Sequence, residues 1–335
     1  MTRVLIDARA AARPELGGVE RWARELAARL PALHPDRYAL AVPRARLVHR
    51  AGHAWEQGVL PFRARRADVL LCPANLAPVA ARNVALILHD VAPLREPGWY
   101  APAYVRYQRA IVPLLARRAR LVLTVSEFSA GELRDLLGVE AQVVHGGVGP
   151  AFGPHADATG ARAAHGLQER PYVLTVGSRT ARKNLAALRV AGPRLAARGV
   201  DLVAVGGGRP QFRAEDEVPG LRHLGRVDDA ELPGLYAGAA AFVLPSRYEG
   251  YGLPVLEAMA SGTPVVAARA AALPEAGGDA ARYADPDDPE GFADALEATL
   301  DDPEPQRAAG LARARGRTWE ATARGVDAVL RRELG

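Results

Sequence analysis

Two glutamates eight residues apart, Glu249 and Glu257, carry the densest chemistry in this chain. Between them lies a bend with Gly250 and Gly252, and Pro254 suits the start of a helix. Apolar runs at 239–244 and 263–267 flank the segment and have the composition of short buried strands. A strand, a glycine bend and a helix start place unpaired amides and a partial positive charge where an anion can sit. Leu253 has no side chain that could cap the helix, so its first amides stay available. Glu249 falls on the loop and Glu257 one turn into the helix, so each carboxylate meets a different part of a ligand. The pattern suits an anionic, hydroxyl-rich molecule.

A second candidate stands in ValGlySerArgThrAlaArgLysAsn, 176–184. Lys183 is the single lysine among 43 basic residues, and it follows a strand-like run. Such a position points to a cation kept for function. Serine is almost as scarce. Ser126, Ser178 and Ser246 follow strand-like runs and Ser261 precedes one, although serine's preference for turns accounts for these equally well.

The elements that must position these residues alternate in two rounds. Strands are predicted at 3–6, 38–42, 69–72, 84–88, 121–125 and 142–144, with helices at 19–30, 103–119 and 127–137. After a linker at 146–170, rich in Gly, Pro and His, strands follow at 172–176, 202–205, 241–244 and 264–267. Helices are expected there at 185–198, 229–237 and 253–260. Repeated β–α alternation implies parallel sheets covered by helices, hence two doubly wound α/β domains. Ligands of such sheets bind at the carboxyl ends of the strands, where the candidate residues fall.

Composition narrows the classes. The chain has 335 residues, a formal net charge of +5 and one cysteine, Cys72, which excludes a disulfide framework or thiolate metal cluster. Arg3, Asp7 and Arg9 interrupt any signal-peptide core, and no apolar run approaches the ~20 residues that span a bilayer. A soluble, cytoplasmic protein is expected. Asp7 and Arg9 are strand-end residues without an assignable role. Two basic groups, Arg63, Arg65 and Arg66, and Arg117, Arg118 and Arg120, allow peripheral contact with an anionic inner membrane face. The favoured reading of the second group is a core-facing helix whose arginines complement its C-terminal dipole.

The ordered segments resemble the retaining glycosyltransferases of family 4. GluGlyTyrGlyLeuProValLeuGlu is similar to their E-x7-E motif. Further likenesses are IleAspAlaArg with GlyGlyValGluArg, LeuHisAspValAlaProLeu, ValSerGluPheSer, the Lys183 segment, GlyArgValAspAspAlaGluLeu and LeuProGluAlaGlyGlyAspAla. The resemblance implies a GT-B fold: two facing Rossmann-like domains with a cleft between them. Residues 1–155 would form the acceptor-side domain and 156–318 the nucleotide-sugar domain, with 319–335 a helix crossing back to the first.

It also implies roles. Glu249 would contact the donor sugar and stabilise positive charge at its anomeric carbon, and Glu257 would hold the ribose hydroxyls. Tyr251, Gly252 and Leu253 would line the donor site, with amides of the last two on the diphosphate. Lys183, with Arg179 or Arg182, would neutralise that diphosphate. Gly17 and Gly18 would close the first domain's backbone onto the same phosphates, and His89 would lie at the cleft as a catalytic residue. The implied donor is a GDP- or UDP-sugar, and the acceptor a hydroxyl-bearing sugar, lipid-linked or small molecule, with no nucleic acid. No metal or other cofactor is implied. Acceptor contacts would fall on loops such as 8–16 and 44–66.

Two alternatives share this architecture: a pyridoxal-phosphate-dependent glycan phosphorylase, whose Schiff base would have to be Lys183, and an inactive sugar-nucleotide-binding protein. A dinucleotide-dependent dehydrogenase is disfavoured, because GlyGlyGlyArgPro at 206–210 does not complete G-x-G-x-x-G.

Overall fold

The computed structural model describes residues 2–13, 17–44, 52–207 and 217–335. Residues 14–16 and 45–51, in the two expected acceptor loops, and 208–210 of the glycine run lie outside them. The chain divides into two compact units. The first holds Met1–Arg95, Val105–Gly147 and Thr318–Gly335; the second holds Glu96–Tyr104 and Val148–Arg317.

The first unit is built on six strands: β1 (Val4–Asp7), β2 (Tyr38–Ala41), β3 (Val69–Cys72), β4 (Val84–Ile87), β5 (Leu121–Thr124) and β6 (Gln142–Val143). They pair in the order β2-β1-β3-β4-β5-β6, every pairing parallel. β3, β4 and β5 are buried throughout, which is why they appear in the sequence as unbroken apolar runs. The helix Gly18–Leu33 buries Trp22, Ala23, Leu26, Ala27 and Leu30 along one stripe.

The second unit has β7 (Tyr172–Val176), β8 (Asp201–Val205), β9 (Leu221–Gly225), β10 (Ala241–Leu244), β11 (Val265–Ala268) and β12 (Ala281–Ala284). Their order is β12-β11-β10-β7-β8-β9, again all parallel. The direction of winding reverses between β7 and β10. A doubly wound sheet opens a crevice at that switch point.

Several elements depart from expectation. β9 and β12 are absent from the sequence prediction. Both are edge strands, LeuArgHisLeuGly and AlaArgTyrAla, whose mixed exposure leaves no apolar run to detect. The helix expected over 185–198 is broken into a 3₁₀ turn, Leu185–Leu188, and a short helix, Ala191–Ala197. Pro193 has no N–H for the carbonyl four residues back, so the two pieces cannot merge. The supposed linker contains a helix, Ala158–Ala164, whose start is capped by Asp157 accepting from the Gly160 amide at 2.8 Å. Helices Pro289–Asp301 and Glu304–Ala314 also stand where no element is predicted.

The last helix, Trp319–Leu334, belongs to the first unit. Its Trp319 packs edge-on against Trp22, ring centroids 5.5 Å apart, and Thr318 caps its first turn through the Ala321 amide. Gly147 lies so close to this helix start that a Cβ there would sit 2.2 Å from the Thr318 carbonyl carbon; only glycine fits. No helix among the described residues is long and apolar enough to cross a membrane.

Candidate active site

Lys183 and Glu249 meet at the switch point of the second sheet. The chain leaving β7 turns through the 3₁₀ segment Ala181–Lys183, and the chain leaving the adjacent β10 enters the glycine bend. Gly177 makes room for the lysine, since a Cβ there would come within 2.7 Å of Lys183 Cε. Asn184 ends the turn at φ 54°, a left-handed conformation that asparagine adopts more readily than most residues. Its Nδ2 donates to the carbonyls of Pro245 at 3.0 Å and Pro286 at 2.8 Å, which ties the β7 loop to the β10 loop.

Within that frame Lys183 Nζ donates to Glu249 Oε1 at 2.6 Å. Arg182 Nη1 donates to Glu249 Oε2 at 3.1 Å and to the Tyr248 carbonyl at 2.6 Å. Burial pushes the Glu249 carboxyl up, but Arg182 and Lys183 outweigh it and hold the group down to about 2. For Lys183 burial wins in the other sense and lowers the ammonium, against the opposing fields of Glu249 and Glu257. The outcome is a carboxylate locked between two cations, a preset negative charge in a partly dehydrated place. Arg179 shares a recess with Lys183. Gly177, Gly206 and His223 also line this small recess at the ends of β7 and β8.

The helix Leu253–Ala260 starts beside Glu249. Gly252 precedes it at φ 110° and ψ 45°, and no side chain caps it. Pro254 occupies the first turn and has no amide, while the Val255 amide is taken by the Gly252 carbonyl at 3.0 Å. Glu257, one turn in, accepts from Tyr236 Oη at 3.1 Å. Tyr236 is fixed by its ring contacts with Phe152 and Phe242, at 5.7 and 5.3 Å. Tyr251 is buried and its hydroxyl accepts from Arg317 Nη1 at 2.9 Å. Glu249, Glu257, Lys183, Arg179, Arg182, Tyr251, Gly252 and Leu253 therefore all lie in the second unit, on loops and a helix start at the carboxyl edge of one sheet.

Gly17, Gly18 and His89 lie in the first unit. Gly18 opens its helix with nothing within 4 Å of where a Cβ would stand, so neither packing nor backbone conformation demands glycine there. The Gly17 amide donates to Glu20 Oε2 at 3.1 Å, and Arg13 offsets that carboxylate at 3.2 Å. His89 is buried with Nε2 2.9 Å from the Pro73 carbonyl, which sets Nε2 as the protonated nitrogen. Its backbone amide donates to Asn75 Oδ1, and its ring stands edge-on to Trp22 at 5.4 Å. Burial lowers its pKa, so the ring is neutral at pH 7.

The switch point of the first sheet, between β1 and β3, carries a group that the sequence leaves without a role. Arg9 Nε lies 2.8 Å from Glu56 Oε2, both buried, and the Arg9 amide donates to Asp7 Oδ1 at 2.9 Å. Burial raises the Asp7 carboxyl to about 6, against Arg9. Glu56, Asn184 and Tyr236 are missing from the sequence-derived candidates. Only Asn184 had a signal, standing directly after the lone lysine. The other two are brought in by tertiary packing.

Comparison with known proteins agrees with this geometry. Residues 170–302 match the family described as glycosyl transferases group 1. The O-antigen chain mannosyltransferase B of Escherichia coli is 31% identical over 307 residues, 85% of this chain and 78% of that protein. The glycogen synthase of Mycobacterium tuberculosis is 33% identical over 242 residues, 68% of this chain and 57% of that one. Among solved structures, sucrose-phosphate synthase from Thermosynechococcus elongatus superposes with a TM-score of 0.76 at 18% identity, covering 99% of each chain. Anabaena HepE in complex with UDP and glucose gives 0.73 at 17%, covering 99% of this chain and all of that one. These two likenesses speak for the fold, which is GT-B. The chain belongs to the group 1 glycosyltransferases of family 4.

Proposed function

We propose that this glycosyltransferase moves a hexosyl unit, of mannosyl or glucosyl type, from a GDP- or UDP-sugar to a hydroxyl of a glycan, glycolipid or glycoside acceptor. The reaction would retain the anomeric configuration and need no metal. One observation carries the reading. A buried carboxylate, Glu249, is held by Lys183 and Arg182 beside an uncapped helix start that ends in Glu257.

In this scheme the amides of Gly252 and Leu253, together with Lys183 and Arg179 or Arg182, take the diphosphate, and their charge stabilises it as it leaves. Glu257, oriented by Tyr236, accepts the ribose hydroxyls. Glu249 meets the donor sugar and stabilises the positive charge that develops at its anomeric carbon. The acceptor attacks from the face the diphosphate leaves, and a phosphate oxygen takes its proton. From the first unit, the reading assigns the neutral His89 to the sugar or the phosphate edge and Gly18 to close approach of the diphosphate. The reading places the protein in the cytoplasm. Lys183 is engaged by Glu249, which speaks against a pyridoxal Schiff base on this residue.

The test has two stages. Thermal shift with UDP, GDP and ADP identifies the base, since the bound nucleotide raises the melting temperature by mass action. Transfer from the matching hexose donors, with and without EDTA, then reads turnover and metal need, and the product anomer reads stereochemistry. No stabilisation by any of the three nucleotides, or transfer unchanged in Glu249→Ala, would refute the proposal.

A further inference from the structure

At the amino ends of β1 and β2, the sheet edge opposite Asp7 and His89, the first unit contains a cavity of about 740 Å³. Four arginines line it, Arg3, Arg37, Arg63 and Arg66, against one acidic side chain, Asp36. Arg37 is only 4% exposed, yet its Nε and Nη2 have no hydrogen-bond partner. The nearest carboxylate is Asp327, whose Oδ1 lies 3.7 Å from Arg37 Nε. That carboxylate is already engaged: Tyr38 Oη donates to Oδ1 at 2.6 Å, and Arg331 lies 2.9 Å from Oδ2. A buried guanidinium with open donors is costly unless an anion completes it. The rim of the same cavity is apolar, with Val59 42% and Phe62 63% exposed.

We propose that this cavity binds a phosphate-type oxyanion. Arg37 adds a buried positive charge to its wall, Arg63 and Arg66 form its outer cations, and the apolar rim points to an anion carried on a lipid-like chain. Guanidinium groups suit the ligand because their planar donor forks match phosphate oxygens. A volume of this size fits a headgroup with the start of a chain. None of the lining residues is among those assigned to the donor, although Val59, Phe62, Arg63 and Arg66 belong to the 44–66 segment expected to meet the acceptor; the proposal stands independently of the donor reading.

Isothermal titration of the full chain with monomeric dihexanoyl phosphatidic acid, and separately with inorganic phosphate, tests it. The expected result is one lipid bound per chain, weakened at least about tenfold in Arg37→Gln and in the exposed pair Arg63→Glu with Arg66→Glu. The melting-temperature shift produced by nucleotide should be unchanged in both variants. Inorganic phosphate binding about tenfold or more weaker than the lipid assigns the site to a headgroup, and equal binding assigns it to soluble phosphates. Because Arg37 is buried, circular dichroism accompanies that variant, and the exposed pair decides if it unfolds. Absence of binding by both probes, or lipid binding undiminished in the exposed pair, overturns the proposal.

Discussion

Replacing Glu249 by glutamine keeps the shape of the switch-point cluster and removes its charge. In the native protein the carboxyl is held at about 2 against an ordinary 4.5, so its interactions favour the ionised form by about 3 kcal/mol, at about 1.4 kcal/mol per tenfold. Removing one partner of a buried pair costs about 3–5 kcal/mol, an independent estimate of the same size. Because the folded value lies below the unfolded one, the stabilisation is complete above about pH 4.5 and is lost as pH falls toward 2. For a domain of this size about 3 kcal/mol corresponds to a melting temperature lower by about 6–12 °C at pH 7. The gap should close by about 1.4 kcal/mol for each pH unit below 4.5. Thermal denaturation of both proteins from pH 7 to pH 3.5 measures it. Adding Lys183→Met should recover part of the loss, because the ammonium then no longer lies buried without a counter-charge. Transfer turnover in Glu249→Gln should fall by about 100-fold or more. Equal melting temperatures at pH 7, or a gap that does not change with pH, would refute the reasoning.

Asp7 has the opposite sign. Its folded value of about 6 exceeds the ordinary 3.8, so its contribution is complete below about 3.8 and is lost as pH rises through about 6. Asp7→Asn, whose side-chain oxygen can still accept the Arg9 amide, should gain about 3 kcal/mol on the native protein between pH 4 and 7; a flat difference in melting temperature would contradict this. Tyr236→Phe removes the hydroxyl that holds Glu257 and should weaken nucleotide binding about tenfold by titration calorimetry, with the fold intact. Gly252→Ala forces a Cβ into φ 110° and to within 3.0 Å of Leu273 Cδ2, so the second unit should lose about 1–3 kcal/mol; an unchanged melting curve would exclude strain at this bend.

The buried strands were legible because parallel sheets covered on both faces are apolar from end to end. Val69–Cys72, Tyr172–Val176 and Ala241–Leu244 match the predicted ranges, whereas β9 and β12 have one open side and carry arginines, so nothing marked them. The Glu249 loop and Lys183 were legible for a different reason. Lys183 is the single lysine of the chain, Glu249 opens a glycine bend, and both stand shortly after apolar runs stop. That Arg182 joins Lys183 on Glu249 while Arg179 lines a recess with Lys183 and His223 depends on the 3₁₀ turn and the left-handed Asn184, which no local pattern encodes. Tyr236 reaches Glu257 across 21 positions of sequence, and Arg9 reaches Glu56 across a longer gap. Helix Pro289–Asp301, by contrast, has a readable start at Asp288 and a stripe of Phe292, Ala293 and Leu296.

Trp319 has a consequence for how the protein is made on the ribosome. The first unit cannot complete its core when residue 147 has emerged, because Trp22 and Gly147 await a helix that is synthesised only after the entire second unit. Until then Trp22 lacks one of its covering rings, and the nascent first unit is a sticky intermediate. The second unit, contiguous from Val148 to Arg317 except for one short segment already synthesised, can close earlier. A premature stop before Thr318 would therefore damage the half of the molecule farthest from it in sequence. The order of translation and the order of folding run in opposite directions.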